Sequence, residues 1–457
     1  MPTRKQQPAR HAAARLLNQF NPQKQNLKDV LPKFLAHADE RNVLMDIVFG
    51  VIRNRELIDA IIEIVGGLSV KRVQKKLLNI ARIGVFELVF TPDKADYAIV
   101  DAAVEEAKMT GGKKAAGFVN ALLRNVGRHI KNRSVELAAA EVTKTVIQNA
   151  RMGCEFDIAL LADPKANPAL YLSKSFSVPL WLVEEWLGEF DFEQTKRICI
   201  ASNRRPSVYL RPNVLKITSK QLYELLQNNG IGCKSITDRE MIKINHPGEV
   251  TQIPGFNEGF FTVQDLTASE AVRLLSPQTG WTVVDLCAAP GGKTTQLAEL
   301  MADKGTIFAT DINEKRLKNV EENCKRLDIR SVHTIYFKKM AQVLADIQCD
   351  AILLDVPCSN TGVLSRRPEV RYRAKPQVIK ELVQTQLQLL NLAAELVKSG
   401  GRISYSTCSI QKEENSGVVR QFLTQNSSFT LVKERLFLPS ADEIDCDGGY
   451  VAILLKK

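Results

Sequence analysis

Val283-Val284-Asp285-Leu286-Cys287-Ala288-Ala289-Pro290-Gly291-Gly292-Lys293-Thr294-Thr295 decides how the C-terminal part of this chain folds. An apolar run ends in an acid. Small residues and two glycines follow, and then a helix-forming segment begins. This reads as a strand, a tight turn and a helix start. Small residues let backbone approach a ligand closely, and free N–H groups at a helix start can face a polar group. A P-loop needs glycine where Cys287 stands, and Pro290 removes one of its N–H donors. The G-x-G-x-x-G fingerprint also fails, because Gly291 and Gly292 are the only glycines in this stretch. A nucleoside-type ligand without a phosphate chain fits better.

Outward from this turn, strands and helices alternate. Strands are predicted at Thr282–Leu286, Gly305–Thr310, His333–Phe337, Ala351–Leu354, Arg402–Tyr405 and Tyr450–Leu455. Helices are predicted at Lys293–Met301, Glu314–Leu327, Val378–Val397 and Glu414–Thr424. The pattern is a doubly wound, Rossmann-like α/β domain at 276–457, with its ligand beyond the carboxyl ends of the strands. Asp311 ends the second strand, where an acid can accept hydrogen bonds from ribose hydroxyls.

Two cysteines fall at such strand ends. Asp355-Val356-Pro357-Cys358-Ser359 follows one, and Tyr405-Ser406-Thr407-Cys408-Ser409 follows another. Most buried cysteines act as small hydrophobes. These two stand in polar turns, where a thiolate would be a strong nucleophile.

The chain has 457 residues and a formal net charge of +11. Residues 1–135 hold 23 Lys+Arg against 13 Asp+Glu, so a basic module precedes a nearly neutral remainder. Apolar residues there recur at helical spacing, as in Val43, Leu44, Ile47, Val48 and Val51. An all-α bundle is predicted, with Gly66-Gly67 and Gly111-Gly112 breaking helices. A small α+β module is expected at 150–275. The charge fits a polyanion partner or a solvated helical surface equally well.

Nine cysteines without a C-x-x-C pair suggest reduced thiols and a cytoplasmic setting. Five histidines (11, 37, 129, 246 and 333) lack metal-ligand spacing. The segment Met1–Gln7 is polar and unlike a signal peptide, and no membrane span is expected. No metal site is expected.

Residues 280–457 resemble the RNA cytosine-5 methyltransferases of the NOL1/NOP2/Sun group. The resemblance is carried by the glycine turn, Asp355-x-Pro-Cys-Ser and Ser406-Thr-Cys-Ser. Residues 1–135 resemble the NusB-type helical RNA-binding domain, at Ala81–Leu88, Ala95–Asp101 and Lys114–Arg124. The middle is similar at Arg211–Leu215 and Gly259–Asp265, in a module expected to bind RNA or link the other two. The resemblance implies a monomeric enzyme that uses S-adenosylmethionine to methylate C5 of a cytosine in 16S small-subunit ribosomal RNA. Cys408 would be the nucleophile and Cys358 would assist proton removal and release. Asp355 would hold the base, and Lys293 would contact Asp355 or the substrate. Cys287, Ala288, Ala289, Pro290, Gly291, Gly292 and Lys293 would hold the cofactor with Asp311 and Asp355.

One departure stands out. The family has an acid near the adenine after the third strand, whereas Ile335–Met340 has none. That motivates an alternative, a non-catalytic RNA-binding assembly factor. Arg366, Arg367, Arg371 and Arg373 follow the Pro-Cys motif, and they are expected to grip RNA phosphates.

Overall fold

The computed structural model describes residues 7–245, 248–345 and 347–457. His246 and the polar stretch 1–6 lie outside them. The chain divides into two compact units. One comprises 1–205 with 364–373, and the other 206–363 with 374–457.

The first unit is built on the helices Ala9–Gln19, Arg41–Arg53, Arg55–Gly66, Lys75–Phe90 and Asp96–His129. Their apolar faces supply its core: Leu16, Leu44, Ile47, Leu57, Ile61, Ile80, Leu88, Val119 and Leu123 are all buried. The expected helix breaks are present. Gly67 caps a helix in the left-handed conformation, and Gly111 and Gly112 leave helical geometry inside the last one. A three-stranded antiparallel sheet follows, from Ile130–Glu136, Thr145–Ile147 and Met152–Phe156. Its first strand begins within the segment expected to be all helix. Ile130–Glu136 is mostly solvent-facing, so its apolar residues are too few to announce it.

The expected 150–275 module is divided. The helices Pro168–Phe176, Leu180–Glu189 and Phe192–Asn203 fall in the first unit, and the remainder in the second. The second unit opens with a four-stranded antiparallel sheet. Its order is Cys233–Ile236, Met241–Ile244, Val208–Pro212, Phe261–Val263. The helix Ser219–Asn228 is started by a Thr218–Gln221 capping box and buries Leu222 and Leu226 with Leu210, Ile242 and Phe261.

The large sheet consists of β1 (Thr282–Asp285), β2 (Thr306–Asp311), β3 (Val332–Tyr336), β4 (Cys349–Asp355), β5 (Val397–Thr407), β6 (Phe429–Phe437) and β7 (Gly449–Lys456). Its order is β3-β2-β1-β4-β5-β7-β6. The first five are parallel, and β7 runs antiparallel to both neighbours. Successive residues of a strand face opposite sides. Val283, Ala351 and Leu353 therefore pack with the helices Leu266–Leu275, Gly292–Leu300 and Glu314–Leu327. Val284, Ile352 and Leu354 pack with Pro376–Leu396 and Ser416–Gln425. Chain order reverses between β1 and β4, which opens a crevice at their carboxyl ends. Phe337, expected to end β3, instead begins the helix Phe337–Val343.

Candidate active site

The glycine turn leaves β1 and crosses toward β2. Ala288 N–H donates to the Thr310 carbonyl at 2.8 Å, and Ala289 N–H to Asp311 Oδ2 at 3.3 Å. The Ala289–Pro290 peptide is cis. Gly291 has φ +102°, and a Cβ there would stand 3.1 Å from the Val320 backbone. Glycine meets both demands at the helix start. Arg211, from the four-stranded sheet, fixes the helix beyond. Its buried guanidinium pairs with both Glu299 oxygens at 2.8 Å and donates to the Gly292 carbonyl at 2.8 Å, to Thr295 and to Gln264.

Asp311 closes the far side. It is 5% exposed, accepts from Asn313 N–H at 2.8 Å, and has Arg316 at 3.6 Å. Asp285 lies beneath the turn. Thr294 Oγ1 donates to its Oδ2 at 2.7 Å, while its buried Oδ1 has no hydrogen-bond partner. Burial pushes the Asp285 carboxyl up to about 7 against the Thr294 bond, and the Asp355 charge adds to the rise. Cys287 is held as a thiol by burial and by the surrounding Asp285, Asp355 and Asp311 charges.

Lys293 Nζ pairs with Asp355 Oδ2 at 2.6 Å. Burial works most strongly against the ammonium, but Asp355 together with the charges of Cys408 and Asp285 holds the amine above its ordinary value. Ser406 Oγ donates to Asp355 Oδ1 at 2.8 Å. The parallel register sets Asp355 beside Ser406, so the two cysteine turns leave the sheet side by side. Cys358 Sγ and Cys408 Sγ are 3.1 Å apart. Cys408 Sγ also reaches Asn360 Oδ1 at 3.2 Å, and Asn360 Nδ2 donates to the Cys358 carbonyl at 2.7 Å. The Cys408 hydrogen bond first, then burial, push the Cys358 thiol well above its ordinary value, and the charges of Cys408 and Glu414 add to this. A cavity of about 60 Å³ lies over Cys408, lined by Lys293, Asp355, Thr407, Asp265 and Asp447. Gly448 also lines the cavity, and Gly362 packs against it so closely that a Cβ there would lie 2.5 Å from the Gly448 carbonyl oxygen.

The crevice thus gathers Cys287–Lys293, Asp311, Asp355, Cys358 and Cys408 in one unit. Arg371 corrects an expectation. It is 3% exposed, belongs to the first unit, and donates to the Arg53 and Phe176 carbonyls at 2.5 and 3.0 Å, to the Ser202 carbonyl at 3.2 Å and to Asn203 Oδ1 at 2.9 Å. A guanidinium spent on carbonyls in the interior is an anchor, not a phosphate grip. Arg373 is half-buried and pairs with Asn26 and Glu369. Arg366 is half-buried and Arg367 is exposed.

Sequence reasoning missed Asp285, Arg211, Asn360 and Glu414. Glu414 stands at the start of the predicted helix Glu414–Thr424 with nothing to mark it as a site residue, yet it is fully buried while Glu413 is exposed.

Comparison with known proteins places the chain in a family. The model of the 16S rRNA methyltransferase RsmB/F family matches residues 272–449, that of the NusB family 7–128, and that of the RsmF/B-like ferredoxin-like domain 178–251. Ribosomal RNA small subunit methyltransferase B of Escherichia coli O17:K52:H18 is 30% identical over 99% of this chain and 100% of its own length. The chain belongs to the RsmB/F family. Its members' fold extends to solved structures. The protein PH0851 aligns over 99% of this chain and 100% of its own, with 26% identity and a TM-score of 0.75. A methyltransferase homolog from Pyrococcus horikoshii covers 64% of this chain and 99% of its own, at 26% identity and a TM-score of 0.57. The RsmB/F architecture accounts for the helical NusB domain, the ferredoxin-like sheet and the mixed seven-stranded sheet alike.

Proposed function

We propose that this chain transfers a methyl group from S-adenosylmethionine to C5 of a cytosine in 16S ribosomal RNA, through a covalent bond between Cys408 and C6. The observation that carries the reading is the thiol pair, 3.1 Å apart at the ends of β4 and β5, with the Lys293–Asp355 pair on the same cavity. The name of the Escherichia coli relative supports the choice of small-subunit ribosomal RNA.

The residues fit the cofactor. Asp311 retains acceptor capacity for ribose hydroxyls, and the buried, unpartnered Asp285 Oδ1 beside the turn suits a cationic amino group. The run Cys287–Gly292 and Lys293 would line the methionine end. Bound S-adenosylmethionine supplies an electrophilic methyl group on a positive sulfur.

Cytosine C5 is a poor nucleophile. Addition of the Cys408 thiolate to C6 makes C5 an enamine-type carbon that takes the methyl group. Asp355 would hydrogen-bond the base, with its own position fixed by Lys293 and Ser406. Loss of the C5 proton then expels Cys408 and restores the ring. Cys358 is suited to that last step. The contact that raises its pKa most is Cys408 itself. Once Cys408 is bonded to carbon, that contact is gone and Cys358 gives up its proton more readily. To act as that base Cys358 first passes its own proton to solvent; as the thiolate it would then take the C5 proton and return to the thiol. Cys408→Ala is expected to abolish methylation of small-subunit RNA while binding S-adenosylmethionine, measured by methyl-group incorporation and calorimetry. Retained turnover would overturn the reading. The non-catalytic alternative is tested by the same calorimetry, since it expects no cofactor binding.

A further inference from the structure

Each cysteine is followed by a serine, and both serines bond one buried carboxylate. Glu414 Oε1 accepts from Ser359 N–H at 2.8 Å and from Gln386 Nε2 at 3.1 Å. Its Oε2 accepts from Ser409 Oγ at 2.6 Å and from Ser359 Oγ. The two serine hydroxyls are 3.1 Å apart, and Thr361 Oγ1 lies 3.1 Å from Ser409 Oγ. Gln386, fully buried in the helix Pro376–Leu396, also donates to the Pro357 carbonyl at 3.0 Å. Tyr405, on β5, donates from its hydroxyl to the Glu414 carbonyl at 2.6 Å. A carboxylate accepts about four hydrogen bonds, so the Glu414 side chain is saturated. Its donors come from the Pro-Cys turn, from the Thr-Cys turn and from the helix beneath them.

We propose that Glu414 is the positioning residue of the cysteine pair. Its carboxylate clamps the turn bearing Cys358 to the turn bearing Cys408 and so sets the 3.1 Å separation of the sulfurs. The inference rests on the reading in which these thiols carry the reaction. Glu414 touches no reacting atom in that scheme and sets the spacing of the thiols through the serines. The arrangement matters because a misplacement of about 1 Å costs on the order of a hundredfold in rate. The carboxylate's negative charge also adds to the rise in the Cys358 pKa, after Cys408 and burial. One side chain therefore both spaces the thiols and favours the protonated form of Cys358.

The full-length protein provides a readout that needs no RNA. Diamide oxidises two neighbouring thiols to a disulfide. The sulfurs lose two electrons and two protons, which reduce the reagent's N=N bond to a hydrazine. Cross-linking of Cys358 to Cys408 is followed by peptide mass spectrometry. Glu414→Gln preserves size but replaces an all-acceptor group by one that also donates. We expect it to bind S-adenosylmethionine within about twofold of the parent and to cross-link about tenfold more slowly, with methyl transfer reduced by at least that factor. Ser359→Ala and Ser409→Ala each remove one hydroxyl donor and are expected to slow cross-linking by about two- to threefold. They keep the test decisive if Glu414→Gln does not fold. Wild-type cross-linking in Glu414→Gln, or in both serine variants, would overturn the proposal. Slowed cross-linking, with no methylation even by the unaltered protein, would support the clamp and reject the methyl-transfer reading.

Discussion

Asp285 shows how one side chain ties the stability of this fold to pH. Its carboxyl is fully buried, and burial lifts it to about 7 from an ordinary value of 3.8. Between these values the folded state holds a proton that the unfolded state has released. Stability conferred by the protonated group is present below about pH 4. It is lost as pH rises toward 7. Asp285→Asn should remove this decline, seen as a smaller fall in unfolding free energy between pH 5 and pH 7.5 than in the unaltered protein. Identical pH profiles would mean that Asp285 ionises freely. At this scale the sequence carried much of the site. The turn residues, Asp311, Asp355 and both cysteines announce themselves by residue type at strand ends. Asp285 and Glu414 did not, because nothing local distinguishes a buried acid from a solvated one. Their burial is set by other elements packing over them, the helix that carries Thr294 over Asp285 and the helix that carries Gln386 over Glu414.

At the scale of elements, the helix Gly292–Leu300 continues the glycine turn, and Arg211 holds that helix. The guanidinium and Glu299 are both nearly fully buried, with side-chain exposures of 8% and 2%. Removing one partner leaves a buried charge uncompensated, which costs about 3–5 kcal/mol. Arg211→Ala should lower stability by that order in urea unfolding and weaken S-adenosylmethionine binding. A loss below about 0.5 kcal/mol would show that the pair is replaceable by water. Long helices with regular apolar spacing, such as Glu314–Leu327, were legible to the residue. The edge strand β6 was not. Its exposed residues Leu431–Leu436 mix three apolar with three charged side chains, so neither alternation nor a continuous apolar run marks it. Arg371 was misread because four arginines near a thiol suggest a polyanion. Only the folded chain shows the Arg371 guanidinium turned onto backbone carbonyls.

Across the whole molecule, charge is unevenly spread. The helical unit carries the basic excess of residues 1–135, and several of those side chains are exposed, among them Lys71, Arg72, Lys76, Lys113 and Lys114. If they meet RNA phosphates, binding must be salt-sensitive. Replacing all five by Gln should weaken RNA binding and flatten the slope of log affinity against log salt by about 0.7–0.9 for each phosphate left unneutralised. Affinity for S-adenosylmethionine should be unchanged, because its proposed site lies in the other unit. An unaltered slope would make these lysines and arginines a solvated surface only. Substitution is preferable to deletion of 1–135, since the Arg53 carbonyl and Asn26 are partners of Arg371 and Arg373.

The central claim is that Cys408 bonds to the RNA and Cys358 releases it. It is tested most directly by incubating Cys358→Ala with S-adenosylmethionine and unmethylated small-subunit ribosomal RNA, then locating any protein–RNA linkage by denaturing separation and peptide mass spectrometry. The account predicts a stable adduct on Cys408, absent when Cys408 is also replaced. Full turnover by Cys358→Ala with no adduct, or an adduct on any other residue, would contradict it.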